Sequence, residues 1–226
     1  PQSAALPLTV DTAAPAAPTG VTVTDDVAPV TGAIAANGAS NDNKPTFAGA
    51  AGSAEAGSTI TVMDGATVLG TAVVAADGSW SVTPTTALAD GAHSITTRAT
   101  DAAGNVSPVS PALALTVDTA APAAPAAPTS TAPSTNDNTP GIHIGVGLTD
   151  TPSLYVDGVK VPATYDPVTG TLTPTTPLAD GAHSITTTLT DAAGNESPQS
   201  AALPLTVDTA APAAPAAPTS TAPSTN

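Results

Sequence analysis

Apolar and polar positions alternate along much of this chain with a period of two, the spacing of a strand with one face against a core. Ser58–Met63 (STITVM) and Ala66–Val73 (ATVLGTAV) are β-branched or alternating runs separated by Asp64-Gly65, a hairpin signal. Asp77-Gly78 leads into Ser79–Val82, and Asp90-Gly91 into His93–Thr100. Asp101–Asn105 (DAAGN) forms the next turn, and Pro111–Val117 (PALALTV) the last strand. A second set follows: Gly141–Val146, Ser153–Val156, Val159–Thr164, Thr171–Thr173, Ala182–Thr190 and Ala202–Val207. No segment carries a helical apolar stripe.

Short strands between Gly/Asp turns, about seven to a module, predict an all-β chain of tandem immunoglobulin-like β-sandwiches. The strongest organising fact is a repeat. Thr83–Asn136 aligns with Thr173–Asn226 at an offset of 90, with seven differences in 54 positions, and Pro1–Pro18 is identical to Pro198–Pro215. Self-similarity at a fixed period marks an array. The chain divides into the tail of a preceding module with its linker (1–19), module one (20–118), a linker (119–133), module two with a divergent first half (134–208), and a linker toward a next module (209–226). The linkers (TAAPAAPAAPTSTAP in 119–133) place Pro every third residue. That spacing removes helix donors and favours a semi-rigid polyproline II spacer.

Composition narrows the function. The chain holds 18 carboxylates against three Lys and Arg, a formal charge of −15, and no cysteine. Lys44, Arg98 and Lys160 cannot build the basic face that nucleic acid requires, nor a polybasic membrane patch. No apolar run approaches the ~20 residues that span a bilayer. Aromatics are limited to Phe47, Trp80, Tyr155 and Tyr165, so Ala, Val, Leu and Ile must fill the cores.

The phrases NDNKPTFAG (41–49), AEAGSTITVMDG (54–65), LGTAVVAADGSWSVTPTTALADGAH (69–93), ATDAAGNVSP (99–108) and LTVDTAAPAAP (115–125) resemble the bacterial Ig-like repeats of large biofilm-associated surface adhesins of Gram-negative bacteria, the type I-secreted, RTX/Bap-like proteins. The resemblance is strong in module one and from Thr171 onward, and weak in 141–170. It implies export to the cell surface, tethering there, and a part in adhesion. It also implies calcium near module junctions and receptor-binding modules elsewhere in the protein.

In such a seven-stranded sandwich, with strands lettered A to G in chain order, the loop between the second and third strands (B–C) and that between the sixth and seventh (F–G) share the entry pole, facing the exit of the preceding module. Glu55 lies in B–C, Asp101 opens F–G, and Asp11 ends the preceding strand. Module two offers Asp150, Asp191 and Asp118 in the same roles. Each trio supplies hard oxygen donors suited to Ca²⁺, with carbonyls and water to complete six to eight ligands. A second cluster at the opposite pole comprises Asp26, Asp42 and Asp90, with Asp137 and Asp180 in module two. Each carboxylate also has a plainer reading: an Asp in a turn accepts hydrogen bonds from its own backbone. There is no EF-hand loop to decide between them.

Catalytic chemistry is not expected. His93 and His183 occupy one repeat position, as scaffold residues do, and His143 sits in an apolar alternation. No serine lies in Gly-x-Ser-x-Gly. Trp80 is expected in the core of module one, with Gly170 at its position in module two. The function expected is therefore a spacer in a surface adhesin, stiffened by calcium and partnered by neighbouring modules of its own chain. The alternatives are a module that itself binds glycan or a surface, with 141–170 the candidate region, and an accessory region of a secreted hydrolase.

Overall fold

Alternation becomes pairing in the computed structural model, which describes residues 8–217. The beginning of the tail expected at 1–19 and the end of the linker expected at 209–226 lie outside those residues. Two compact units are formed. Among the described residues, one comprises 8–124, Thr149–Thr151 and Leu189–Pro198, the other Pro125–Leu148, Pro152–Thr188 and 199–217. The described residues contain strands and turns and no helix.

The first sandwich is built from β1 (Thr22–Asp25), β2 (Gly32–Ala33), β3 (Ala39–Ser40), β4 (Thr46–Gly49), β5 (Thr59–Asp64), β6 (Thr67–Val73), β7 (Trp80–Val82), β8 (Gly91–Thr100) and β9 (Leu113–Val117). One sheet runs β2-β1-β4-β7 and the other β3-β9-β8-β5-β6. All pairings are antiparallel except β3 with β9. Alternate residues point inward: Phe47, Ile60, Val62, Ile95 and Leu115 are buried, joined by Trp80. Trp80 is thus a core residue, as its sequence context predicts. A bulge between Val62 and Met63 places two successive side chains of β5 out of water.

β8 is twice as long as its partner β9. Beyond the ladder, the segment carrying Pro108 and Pro111 has too few N–H groups to continue pairing. Serines replace them. Ser107 Oγ accepts from Ala99 N at 2.9 Å and Ser110 Oγ from Thr97 N at 3.0 Å. Ser197 and Ser200 repeat this with Leu189 and Thr187.

The second sandwich uses β10 (Ser134–Thr135), β11 (Ile142–His143), β12 (Thr151–Val156), β13 (Val159–Val161), β14 (Ala163–Asp166), β15 (Thr171–Pro174), β16 (Gly181–Thr190) and β17 (Leu203–Val207). Its sheets run β10-β17-β16-β12-β13 and β11-β15-β14. Ile142, Leu154, Leu172, Ile185 and Leu205 form its core. Two strand expectations are corrected here. Val159–Thr164 is two strands in different sheets, because Pro162 cannot donate to a ladder and the chain crosses over at that point. Gly141–Val146 shortens to Ile142–His143, where Thr129 also exchanges two backbone bonds with His143.

Equivalent positions of the two cores carry opposite volumes. In the first, Gly49 pairs with Trp80 beside Phe47–Val82. In the second, Ile142 pairs with Leu172, and Ile144 N donates to Gly170 O. The large residue has moved from one strand to the other. Gly170, at φ +67°, lies so close to Gly145 that a Cβ would sit 2.6 Å from its backbone. Tyr165 donates to Gly145 O at 2.8 Å and covers this corner.

Candidate functional site at the module ends

The trio Asp11, Glu55 and Asp101 lines one surface hollow of about 390 Å³, together with Thr9, Ala56–Ser58, Ala102 and Ala103. The expectation that the B–C loop, the F–G turn and the preceding exit share one pole is therefore met in the first unit. The side chains are nevertheless spread. Among the described residues no three His, Cys, Asp or Glu side chains gather as a group able to hold a metal ion. The donor chemistry suits a hard cation. The geometry would need Asp11 and Glu55, both exposed, to swing inward.

Asp101 is committed locally. Its Oδ1 accepts from Ala103 N at 2.9 Å and Asn105 N at 2.8 Å, and its Oδ2 from Asn105 Nδ2 at 2.8 Å. These donors, the Asn105 side chain first, hold its carboxyl below the usual range. Asp191 makes the same three bonds, with Ala193 N, Asn195 N and Asn195 Nδ2, each at 2.9 Å. Asp11 caps Ala13 N and Asp118 caps Ala120 N, both at 3.0 Å, while Asp150 accepts from Thr149 Oγ1 at 3.3 Å. Asp118, Asp150 and Asp191 all belong to the first unit.

Of the five weaker candidates, Asp42, Asp90, Asp137 and Asp180 accept local or cross-loop hydrogen bonds. Asp42 is buried, with its carboxylate accepting from Lys44 N and Asp26 N. Asp26 itself is exposed, and its neighbour Asp25 is buried and accepts from Ser40 Oγ at 2.6 Å. Asp90 accepts from the amide and hydroxyl of Thr119, and Asp180 from those of Thr209. Asp137 caps Thr139.

Two residues not singled out in the sequence carry the contact with the incoming chain. Asn105 Nδ2 donates to Asp11 O at 3.1 Å, and Asn195 Nδ2 to Asp118 O at 2.7 Å. One amide group thus braces the DAAGN turn and grips a carbonyl of the incoming chain; Asp118 directly follows β9, whereas Asp11, expected to end a strand, lies in a segment (8–21) without one. Asn195 is the more deeply placed, 8% exposed, in a turn where Ala193 O accepts from Asn41 N. The repeated DAAGN phrase was the signal. Its last residue, not only its first, does the joining.

His93 and His183 are likewise braced rather than free. Nδ1 of His93 meets Asp64 Oδ2 at 2.7 Å and its Nε2 meets Ala89 O at 2.8 Å. His183 makes the same pair with Asp157 at 2.8 Å and Ala179 at 2.9 Å. The divergent region 141–170 holds Lys160 with its Nζ 5.9 Å from the centre of the Tyr155 ring.

Comparison with known proteins adds a family and a fold. The family model described as Bacterial Ig-like domain matches residues 17–119 and 127–209. No curated protein matches the chain. Among solved structures, the fibronectin(III)-like modules of Clostridium thermocellum CbhA align at 16% identity over 82% of this chain and 93% of that one, with a TM-score of 0.51, a likeness of fold. A 1.5-MDa bacterial ice-binding adhesin aligns at 24% identity over 74% of this chain and 59% of the other, TM-score 0.36. A tetra-tandem repeat from the extending region of a large adhesion protein aligns at 21% over 87% and 50%, TM-score 0.28.

Proposed function

The chain belongs to the bacterial Ig-like domain family, and from that premise we propose that it is a non-catalytic spacer of an extracellular bacterial adhesin, supporting cell adhesion and biofilm formation. The observation that carries this is the tandem arrangement. Two sandwiches each present the same Asp-Asn turn to the chain arriving from the preceding module, and the same Asp-Thr clasp to the chain departing. A segment whose repeated bonds are spent on its own continuation is suited to setting distance.

Calcium is part of the proposal. Asp11, Glu55 and Asp101, and in the next module Asp118, Asp150 and Asp191, would hold it, and it would offset repulsion in a chain of charge −15. Binding to the folded state alone raises stability by mass action. The test is thermal unfolding in millimolar Ca²⁺, in EGTA, and in Mg²⁺. The expected result is a calcium-specific rise in melting temperature that D101N and D191N reduce, since Asn keeps one acceptor for the turn and loses the charge. Identical melting in Ca²⁺ and EGTA would remove the ion from the proposal and leave the carboxylates as turn caps.

A further inference from the structure

The Ala-Asp-Gly-Ala-His phrase occurs at 89–93 and 179–183, and both copies are built into the same bonded figure. In each, the imidazole lies between two oxygens that have no hydrogen to give: a carboxylate at Nδ1 and a peptide carbonyl at Nε2, all within 2.7–2.9 Å. A neutral imidazole has one N–H and leaves the other nitrogen's lone pair facing an oxygen lone pair. Only the imidazolium satisfies both contacts. The carboxylate is held for this role from its other side, as Asp64 Oδ1 accepts from Ser94 N at 3.0 Å and Asp157 Oδ1 from Ser184 N at 2.8 Å.

The figure bridges three elements. Asp64 lies at the turn between β5 and β6, Ala89 in the loop before β8, and His93 within β8. Asp90, beside Ala89, holds the amide and hydroxyl of Thr119, the second residue after β9. Asp180 holds Thr209 in the same way. We propose that each module carries an acid-strengthened latch, in which the imidazolium of His93 or His183 ties the hairpin turn to the loop that grips the departing chain, so that deprotonation loosens that grip.

The surroundings support it. The charged group facing His93 is Asp64. On β9 its register partner is Leu115, and Asp90 is engaged with Thr119. His183 faces Asp157, its register partner is Leu205, and Asp180 is engaged with Thr209. For His93 burial is the largest single influence and opposes protonation, but the Asp64 bond, the Ala89 carbonyl and the Asp64 charge together outweigh it and raise the pKa. For His183 the Ala179 carbonyl leads, followed by the Asp157 bond, and the pKa again rises. A histidine favoured in its charged form by folding contributes its full stabilisation below about pH 6.5, its unfolded value, and loses it as pH climbs through the higher folded value.

The test is an NMR titration of the imidazole ¹⁵N resonances of the 226-residue chain, assigned with H93Q and H183Q. It is joined by melting curves at pH 6 and pH 8.5 for the wild type and for D64N with D157N. The expected result has both N–H groups of His93 and His183 present at pH 6, midpoints above 6.5, a lower wild-type melting temperature at pH 8.5 than at pH 6, and loss of that difference in the variant. Amide exchange at Thr119 and Thr209, corrected for intrinsic rates, should quicken above the midpoint. Midpoints at or below 6.5 overturn the latch. So does a pH difference in melting that survives D64N with D157N. Should the double variant not fold, the wild-type titration decides alone.

Discussion

Importing the second module's core pair into the first tests whether the two sandwiches are inverse solutions to one packing problem. Trp80 is 5% exposed, and a Cβ built on Gly49 would lie 2.2 Å from Trp80 Nε1 and 2.3 Å from Ser53 Oγ. The pair Gly49–Trp80 therefore leaves no room for any side chain at 49. Trp80→Gly removes the largest side chain in that core at a cost of about 3–5 kcal/mol. Gly49→Ile forces a branched side chain into the indole and costs about 1–3 kcal/mol. Independent effects would sum to roughly 4–8 kcal/mol. The double variant instead carries the pair found at Ile144 and Gly170, so the isoleucine fills space the indole vacated. A coupling of about 2 kcal/mol is expected, within the ordinary range for contacting residues. For a module of this size that is roughly 8–16 °C of melting temperature relative to the additive sum. Calorimetry or far-ultraviolet circular dichroism reads it, with the second sandwich's transition as internal reference. A double variant whose loss equals or exceeds the sum of the single losses would refute the reasoning.

Other expectations follow from the same bonds. Ser107→Ala leaves the amide of Ala99, a fully buried residue, without its acceptor, and should cost about 1–3 kcal/mol in chemical denaturation. Ser197→Ala should cost a similar amount at Leu189 N, and a negligible loss at both sites would show that another acceptor serves there. Among the described residues, lowered carboxylate pKa values occur at Asp77 through the Ser79 hydroxyl, Asp101 through the Asn105 amide, Asp157 through Ser184 N–H, and Asp166 through Val168 N–H. Their stabilisation is complete above the ordinary value of 3.8 and disappears as pH falls through the lowered ones, so melting temperature should decline below about pH 4. Asp166→Ala should make that decline shallower. An unchanged slope would assign it to other groups.

Much of the fold was legible because strand alternation and Asp-Gly turns are local. Ile60, Val62 and Ile95 fall inward on period two alone, and the position of Trp80 followed from its neighbours. The break at Pro162 was signalled by the proline but hidden in an apolar run that alternates across it. The joining contacts were harder, because their partners are remote. Asn105 reaches Asp11 across 94 residues and His93 reaches Asp64 across 29. From sequence the acidic residue of each turn drew notice as a ligand. In the fold its oxygens are largely taken by backbone amides, and the neutral asparagine makes the longer reach. Carboxylate spacing alone cannot distinguish these roles, since a turn cap and a cation ligand use the same atoms.

Adjacent modules with near-identical second halves invite a particular error, the exchange of strands between neighbours while the chain folds. The inverted pair works against it. If β4 of the first sandwich were to pair with β15 of the second, Gly49 would meet Gly170 and leave a void. In the reciprocal hybrid Ile144 would meet Trp80 in space that already rejects a methyl group. Correctly sorted sandwiches have neither fault. The divergent half of the repeat thus acts as a key that tells each strand which neighbour is its own, and a tandem array with one such mismatch between adjacent copies can keep the rest of its sequence almost unchanged.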